Sequence, residues 1–238
     1  MSKTKNYKLT ASLLSEYQEN ALNNAFDLLN EAKLLLVNKH HARAYFLAIA
    51  SVEETGKSQI AYSAKGRNLK NDLVCNVIKK NFSNHSIKIT SAFIGWIHGS
   101  KSLKKALKNA VDYSIDLKRV REASMYTDVD ENTGYVFSPK KIIRPVAARD
   151  AVKLAEQCYL HSTDYFQRDV PILTLYQDKF LCIKQKDANK IINCENFWEY
   201  YLDQISVLTE LNWMEAAVNY HEIYYLKGRS FLTNEHSE

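Results

Sequence analysis

Apolar residues recur along this chain every three to four positions, and strictly alternating stretches are almost absent, a pattern that predicts helices rather than strands. A first helix is predicted from Ser12 to about Val37, with Leu14, Tyr17, Ala21, Ala25, Leu28, Ala32 and Leu35 as its stripe. The stretch "HHARAYFLAIASVEETGKSQIAYSAKG" is a second helix, ending near "KGRN" with Gly66 as the residue after its C-cap. A short helix, "NDLVCNVIKK", follows, and then "NHSIKITSAFIGWI", read as one helix whose stripe of Ile89, Ala92 and Trp96 begins at His85. Residues Ser102 to about Met125 form a further helix, with Leu103, Ala106, Leu107, Ala110, Ser114 and Leu117 aligned.

After an irregular segment, "YTDVDENTGYVFSPKKIIRP", the helix "PVAARDAVKLAEQCYLHSTDYF" closes the core through Ala148, Ala151, Val152, Ala155 and Tyr159. Residues 171–195 read as mixed, with "TLYQDKFLCIKQ" weakly strand-like, and one long or two shorter aromatic-rich helices follow. The tail "NEHSE" is expected to be disordered. The expected fold is therefore all-α, a helical bundle over residues 1–170 with a C-terminal helical extension, 171–238, packed on the bundle or in a dimer interface.

Two helices break their own pattern. With Ile49 at the centre of the second helix's apolar stripe, Glu53 falls about 40° away, inside it, and Glu54 about 140° away. A carboxylate so placed costs several kcal/mol of desolvation unless cations or other donors meet it. Gly56, in the same stripe, costs about 1 kcal/mol relative to Ala, which inside a helix marks close approach by a neighbour. The simplest reading pairs Glu53 with Lys57 at i,i+4. On the later helix Arg121 lands about 20° from the stripe centre, whereas Arg119 lands opposite. A Glu53–Arg121 contact would satisfy both groups, with Gly56 letting the cation approach.

Composition narrows the chemistry. The chain has 238 residues, 46% of them hydrophobic, with only six Gly and three Pro, enough for one sizeable core. It has no run of about 18 uncharged apolar residues and no signal-peptide pattern, so a cytoplasmic protein without a membrane partner is expected. Cys75, Cys158, Cys182 and Cys194 lack metal or disulfide spacing and read as reduced thiols. The net charge of +5 divides into +1 over residues 1–64, +9 over 65–125 and −5 over 126–238. The basic middle suits either a polyanion such as RNA or an ordinary solvated helix face.

Carboxylate-bridged di-metal sites need Glu-x-x-His, which occurs nowhere in the chain. No HExxH, P-loop, GxSxG or dinucleotide glycine pattern is present either. "DVDEN" fails as a calcium loop, because its glycine comes one place late and Pro139 stands where the closing glutamate belongs. His40 and His41 diverge by about 100°, and His98, His161 and His221 stand alone. No metal or cofactor is called for. What remains is a polar cluster of Glu53, Lys57, His85, Lys88 and Arg121, with Tyr126 at the mouth of a loop.

Three blocks, "ARAYFLAIASVEETGKSQIA", "NHSIKITSAF" and "LKRVREASMYTDVD", in that order, resemble the AbiV-type abortive infection family, a bacterial group within the HEPN superfamily, over about residues 12–165. The resemblance implies a phage-defence protein with a bundle of four to five helices, often a homodimer with two active-site helices facing each other. Many HEPN domains are metal-independent ribonucleases that use Arg, four to six residues, then His. The blocks correspond to Glu53, Gly56 and Lys57, to His85 and Lys88, and to Arg121, Glu122 and Tyr126.

Tyr126 stands where such ribonucleases carry histidine, and a phenol with pKa near 10 is a weaker acid–base group at pH 7 than an imidazole near 6.5. The literal Arg-x6-His, Arg229 to His236, lies in the tail. The implied catalytic set is Arg121 on the phosphate, Lys57 or Lys88 stabilising developing charge, and His85 or Tyr126 moving the proton, with Glu53, Lys57 and Glu122 in orienting roles. The implied partners are tRNA or rRNA and a phage-encoded activator or target. The competing reading is a non-enzymatic protein that engages a phage protein or the translation machinery.

Overall fold

A computed structural model of the chain describes residues 7–102, 105, 106, 109, 110, 112, 113, 117, 120–129, 131–171, 175–192, 194–207 and 213–227. They fall into two compact units, Met1–Lys65 with Ile78–Pro171, and Gly66–Val77 with Ile172–Glu238. Among the described residues, the regular structure apart from one two-stranded hairpin is helical. Among the described residues no helix is long and apolar enough to cross a membrane.

The first unit is built on α1 (Ala11–Val37) and α2 (His41–Ala64). Thr10 starts α1 by accepting a hydrogen bond from the Leu13 N–H at 3.1 Å, satisfying one of the donors that a helix start leaves free. Its end is a Schellman turn. Lys39 adopts a left-handed φ of 61°, the Lys39 N–H reaches the Leu36 carbonyl at 3.1 Å, and the His40 N–H reaches the Leu35 carbonyl at 2.9 Å. The chain then returns as α2 alongside α1. Ser51 donates to the Ala25 carbonyl at 2.7 Å and Lys65 to Gln18 at 2.7 Å, so the two helices run antiparallel.

α2 is buried around most of its circumference from Ala44 to Ala64, wider than the single stripe that periodicity suggests. It has α1 on one side and both α4 (His85–Ser91) and the Pro145–Arg168 helix on others. The core that fills the space includes Leu29, Tyr45, Ile49, Val52, Ile89, Phe93 and Val152.

In chain order, α3 (Asp72–Asn81), α4 and α5 (Ile94–His98) come between α2 and the Pro145–Arg168 helix. α4 and α5 are two helices rather than the single one expected. The break at Ala92 and Phe93 lets α5 press Gly95 onto the Pro145–Arg168 helix, where an added Cβ would sit 2.6 Å from the His161 carbonyl oxygen. The described residues from 105 to 121 are helical, and Ala106, Ala110 and Leu117 are buried as predicted. Leu103, Leu107, Ser114 and Arg119 lie outside the described residues.

The irregular segment contains a small antiparallel hairpin, β1 (Asp128–Val129) and β2 (Val136–Phe137), in the register Asp128↔Phe137 and Val129↔Val136. Gly134 takes a φ of 66° in its turn. Gly66 has no such left-handed φ, and α2 ends with Lys65 still in the right-handed region. The expected glycine cap is absent there.

In the second unit, Leu175–Cys182 is a helix where the segment 174–185 was expected to be strand-like, and Gln185–Ile192, in the stretch read as mixed, is a helix too. Packing decides this against local β-propensity. Phe180 meets Trp213 edge-on at 5.1 Å, and Asp178 accepts from the Asn68 N–H at 3.3 Å. Among the described C-terminal residues, Glu195–Val207 and Trp213–Tyr220 are helical, and a π-helical turn follows at His221–Leu226. The tail "NEHSE" and the Arg229 to His236 motif lie outside the described residues.

Candidate functional site

Glu53 is the centre of the polar cluster, 6% exposed in the middle of α2. Its two carboxylate oxygens divide the work. Oε1 accepts from Arg121 Nε at 2.7 Å, while Oε2 meets Lys88 Nζ at 2.5 Å and His85 Nδ1 at 2.7 Å. One buried carboxylate thus joins three segments of the first unit. The Glu53–Arg121 contact anticipated from two helical wheels is present.

Local structure explains how each partner of Glu53 arrives. Asn84 caps α4 by accepting from the Ile87 N–H at 3.2 Å, which makes His85 the first helical residue. Lys88 follows three positions later, on the same helical face, so both side chains meet Glu53. Arg121 closes its helical stretch and leads into a 3₁₀ turn, Glu122–Ser124. Ser124, 3% exposed, fixes that turn by donating to the Arg121 carbonyl at 2.5 Å.

Gly56 serves a different neighbour from the one expected. A Cβ there would lie 1.7 Å from the Lys88 carbonyl oxygen and 2.6 Å from its carbon. What the missing side chain admits is the α4 backbone, which carries Lys88 and His85 to Glu53, and not the Arg121 guanidinium. Lys57 likewise departs from the simplest reading, because its ammonium pairs with Glu54.

The cluster grades from dry to wet. The side chain of Lys88 is 6% exposed, that of Arg121 22% and that of His85 53%. Burial pushes the Glu53 carboxyl up, but hydrogen bonds from Lys88 and His85 and the charges of Lys88 and Arg121 outweigh it and hold the group below its ordinary value. Glu53 is therefore an anion that gathers hydrogen-bond donors, and the positive charge of the cluster opens to solvent through Arg121.

The other expected site residues lie outside this constellation. Tyr126 is 61% exposed, and its hydroxyl hydrogen-bonds to none of the cluster's described residues. Glu122 is exposed, and its carbonyl accepts from the Met125 and Tyr126 N–H groups. An apolar hollow of about 350 Å³ lined by Tyr7, Leu9, Leu13, Leu14, Tyr17 and Phe82 contains none of the cluster residues. Among the described residues no group of three or more His, Cys, Asp or Glu is placed to hold a metal ion.

Two supporting residues escaped the sequence reading, Asn84 and Ser124. Asn84 had a usable signal, since an Asn directly before a helical pattern is a common N-cap. Ser124 had none.

No curated protein and no solved structure matches this chain. The AbiV model of the HEPN family matches residues 13–160, more than half of the chain and the whole of the Glu53 cluster. A first unit that is helical apart from its small hairpin agrees with that match, and the chain belongs to the AbiV-type HEPN family of abortive-infection proteins.

Proposed function

We propose that this protein is a metal-independent endoribonuclease that arrests growth or translation on infection by cutting tRNA or rRNA, with His85 rather than Tyr126 moving the proton. The observation that carries the reading is the carboxylate shared by His85 and Arg121, 2.7 Å from each. Two groups approach Nδ1, the Glu53 carboxylate at 2.7 Å and the Lys88 ammonium at 3.2 Å; the ionised carboxylate can only accept, and this shorter contact assigns the proton to Nδ1 and leaves the lone pair on Nε2. An exposed imidazole so oriented can take a proton at Nε2 from a substrate hydroxyl.

Arg121 spends Nε on Glu53 and keeps its terminal amino groups for a phosphate. Lys88 is too buried to touch substrate. It acts as a positioning residue that keeps Glu53 charged, a change from the direct role first expected of it. In the reaction, the ribose 2′-hydroxyl gives its proton to His85 Nε2 and its oxygen attacks the adjacent phosphorus. The 5′ oxygen leaves, taking a proton from solvent, and a 2′,3′-cyclic phosphate remains. Arg121 stabilises the charge that builds on the non-bridging oxygens.

The test is incubation of purified wild type and Arg121→Ala, matched for helicity by circular dichroism, with tRNA and rRNA in EDTA, with and without phage lysate. Cleavage by wild type alone, ending in cyclic phosphate, is expected. Intact RNA in every tube while infection is still arrested in cells would overturn the reading and favour a protein that acts by binding.

A further inference from the structure

The hairpin that follows Arg121 presents an unusual surface. Tyr126 is 61% exposed, Val129 52%, Tyr135 53% and Val136 50%. Both of its ends are anchored beside the Glu53 cluster. On the way out, the Glu122–Ser124 turn packs against α2, and the Tyr126 N–H bonds the Glu122 carbonyl at 3.1 Å. On the way back, the Pro139–Ile142 helix packs against that same turn and against α2.

Tyr135 is held in place by its neighbours. The Phe137 ring meets it edge-on at 5.0 Å, and Lys141 Nζ lies 5.6 Å from its centroid. Strand alternation puts Tyr135, Phe137 and Asp128 on one face of the hairpin.

We propose that this hairpin is a base-stacking platform for single-stranded RNA, Tyr126 and Tyr135 receiving nucleobases next to the phosphate held by Arg121. The proposal deepens the ribonuclease reading and rests on it for the placement of that phosphate. Exposed aromatic rings beside cations are what unpaired bases stack on. The exposed carboxylates of Asp128 and Glu131 repel phosphate, so the bases and not the backbone meet the hairpin. Lys140 and Lys141, exposed at its root, suit the flanking phosphates. A duplex keeps its base faces stacked inside and offers nothing to these rings.

The experiment measures binding of a fluorescently labelled 12-nucleotide single strand, fully 2′-O-methylated so that it cannot be cut, to the full chain by fluorescence anisotropy. Tyr126→Ala and Tyr135→Ala are each expected to weaken binding roughly tenfold, with Tyr126→Phe and Tyr135→Phe restoring it and circular dichroism unchanged. Binding of the matching duplex is expected to be weak and indifferent to these changes. Wild-type affinity in both Ala variants, or no binding by wild type, would overturn the proposal. Loss of phage arrest in the Ala variants without any change in RNA affinity would also overturn it and point to a protein partner. Failure of the ribonuclease reading is seen separately: ring-dependent binding of the single strand with no cleavage of unmodified RNA removes the nuclease and leaves the platform.

Discussion

Arg121 and Glu53 lie 68 positions apart in the chain and 2.7 Å apart in the fold, the guanidinium Nε donating to a carboxylate oxygen buried in the middle of α2. The same carboxylate holds Lys88 and His85, so it orders the site and ties α4 and the helical stretch ending at Arg121 to α2.

Removing the anion is expected to cost more than removing one cation. Glu53→Ala leaves the buried Lys88 ammonium without its carboxylate, and breaking a buried pair from one side costs roughly 3–5 kcal/mol. Arg121→Ala leaves Glu53 with two partners and is expected to cost less than half as much. Urea denaturation of the two variants checks the order, and equal losses would show that the carboxylate does not organise the cluster.

Gly56→Ala tests the approach of α4. Helix propensity alone would favour alanine by about 1 kcal/mol. The contact of an added Cβ with the Lys88 carbonyl reverses the sign, and a net loss of about 3 kcal/mol, near the top of the usual range for overpacking, is expected. A variant as stable as wild type in thermal melts would mean that the helices can separate freely here.

The pH dependence follows from the lowered Glu53 value. A group whose folded pKa lies below its unfolded one stabilises the fold fully above the unfolded value, near 4.5, and loses that contribution as pH falls through the folded value. The stability gap between wild type and Glu53→Gln is therefore expected to be widest at neutral pH and to close on acidification below about 4.5. A gap that stays constant from pH 7 to pH 3 would contradict an ionised Glu53.

Lys39 holds a left-handed conformation that favours glycine. Lys39→Gly removes a strain of about 1–2 kcal/mol, offset in part by the larger entropy of the unfolded glycine, so a gain of up to about 1 kcal/mol is expected. Differential scanning calorimetry checks it as a rise of a few degrees in Tm. Because Lys39 is remote from the cluster in sequence and exposed, RNA cleavage is expected to be unchanged.

Helical wheels made the inward turn of Glu53 and Arg121 legible in the sequence, because a charged residue inside an apolar stripe is conspicuous at a period of 3.6. The need for space at Gly56 was legible as well. Which neighbour fills that space was not, since a wheel reports direction but not which helix lies there. The break between α4 and α5 and the helical state of Leu175–Cys182 were hidden for a related reason. Each depends on a tertiary contact, Gly95 with His161 or Phe180 with Trp213, that leaves no local trace. Tyr126 carried the expected spacing from Arg121, but the turn after Arg121 brings it into the exposed loop that leads to the hairpin, while His85 on α4 reaches the carboxylate.

The most direct test of the central claim is the single-turnover rate at which wild type and His85→Ala cut a short RNA in EDTA, with and without added imidazole. A loss of at least about 100-fold, the usual contribution of a general base, is expected, with part of the rate recovered when free imidazole replaces the missing ring. A His85→Ala protein that cuts within about threefold of wild type would show that the proton moves elsewhere and would contradict the assignment of His85.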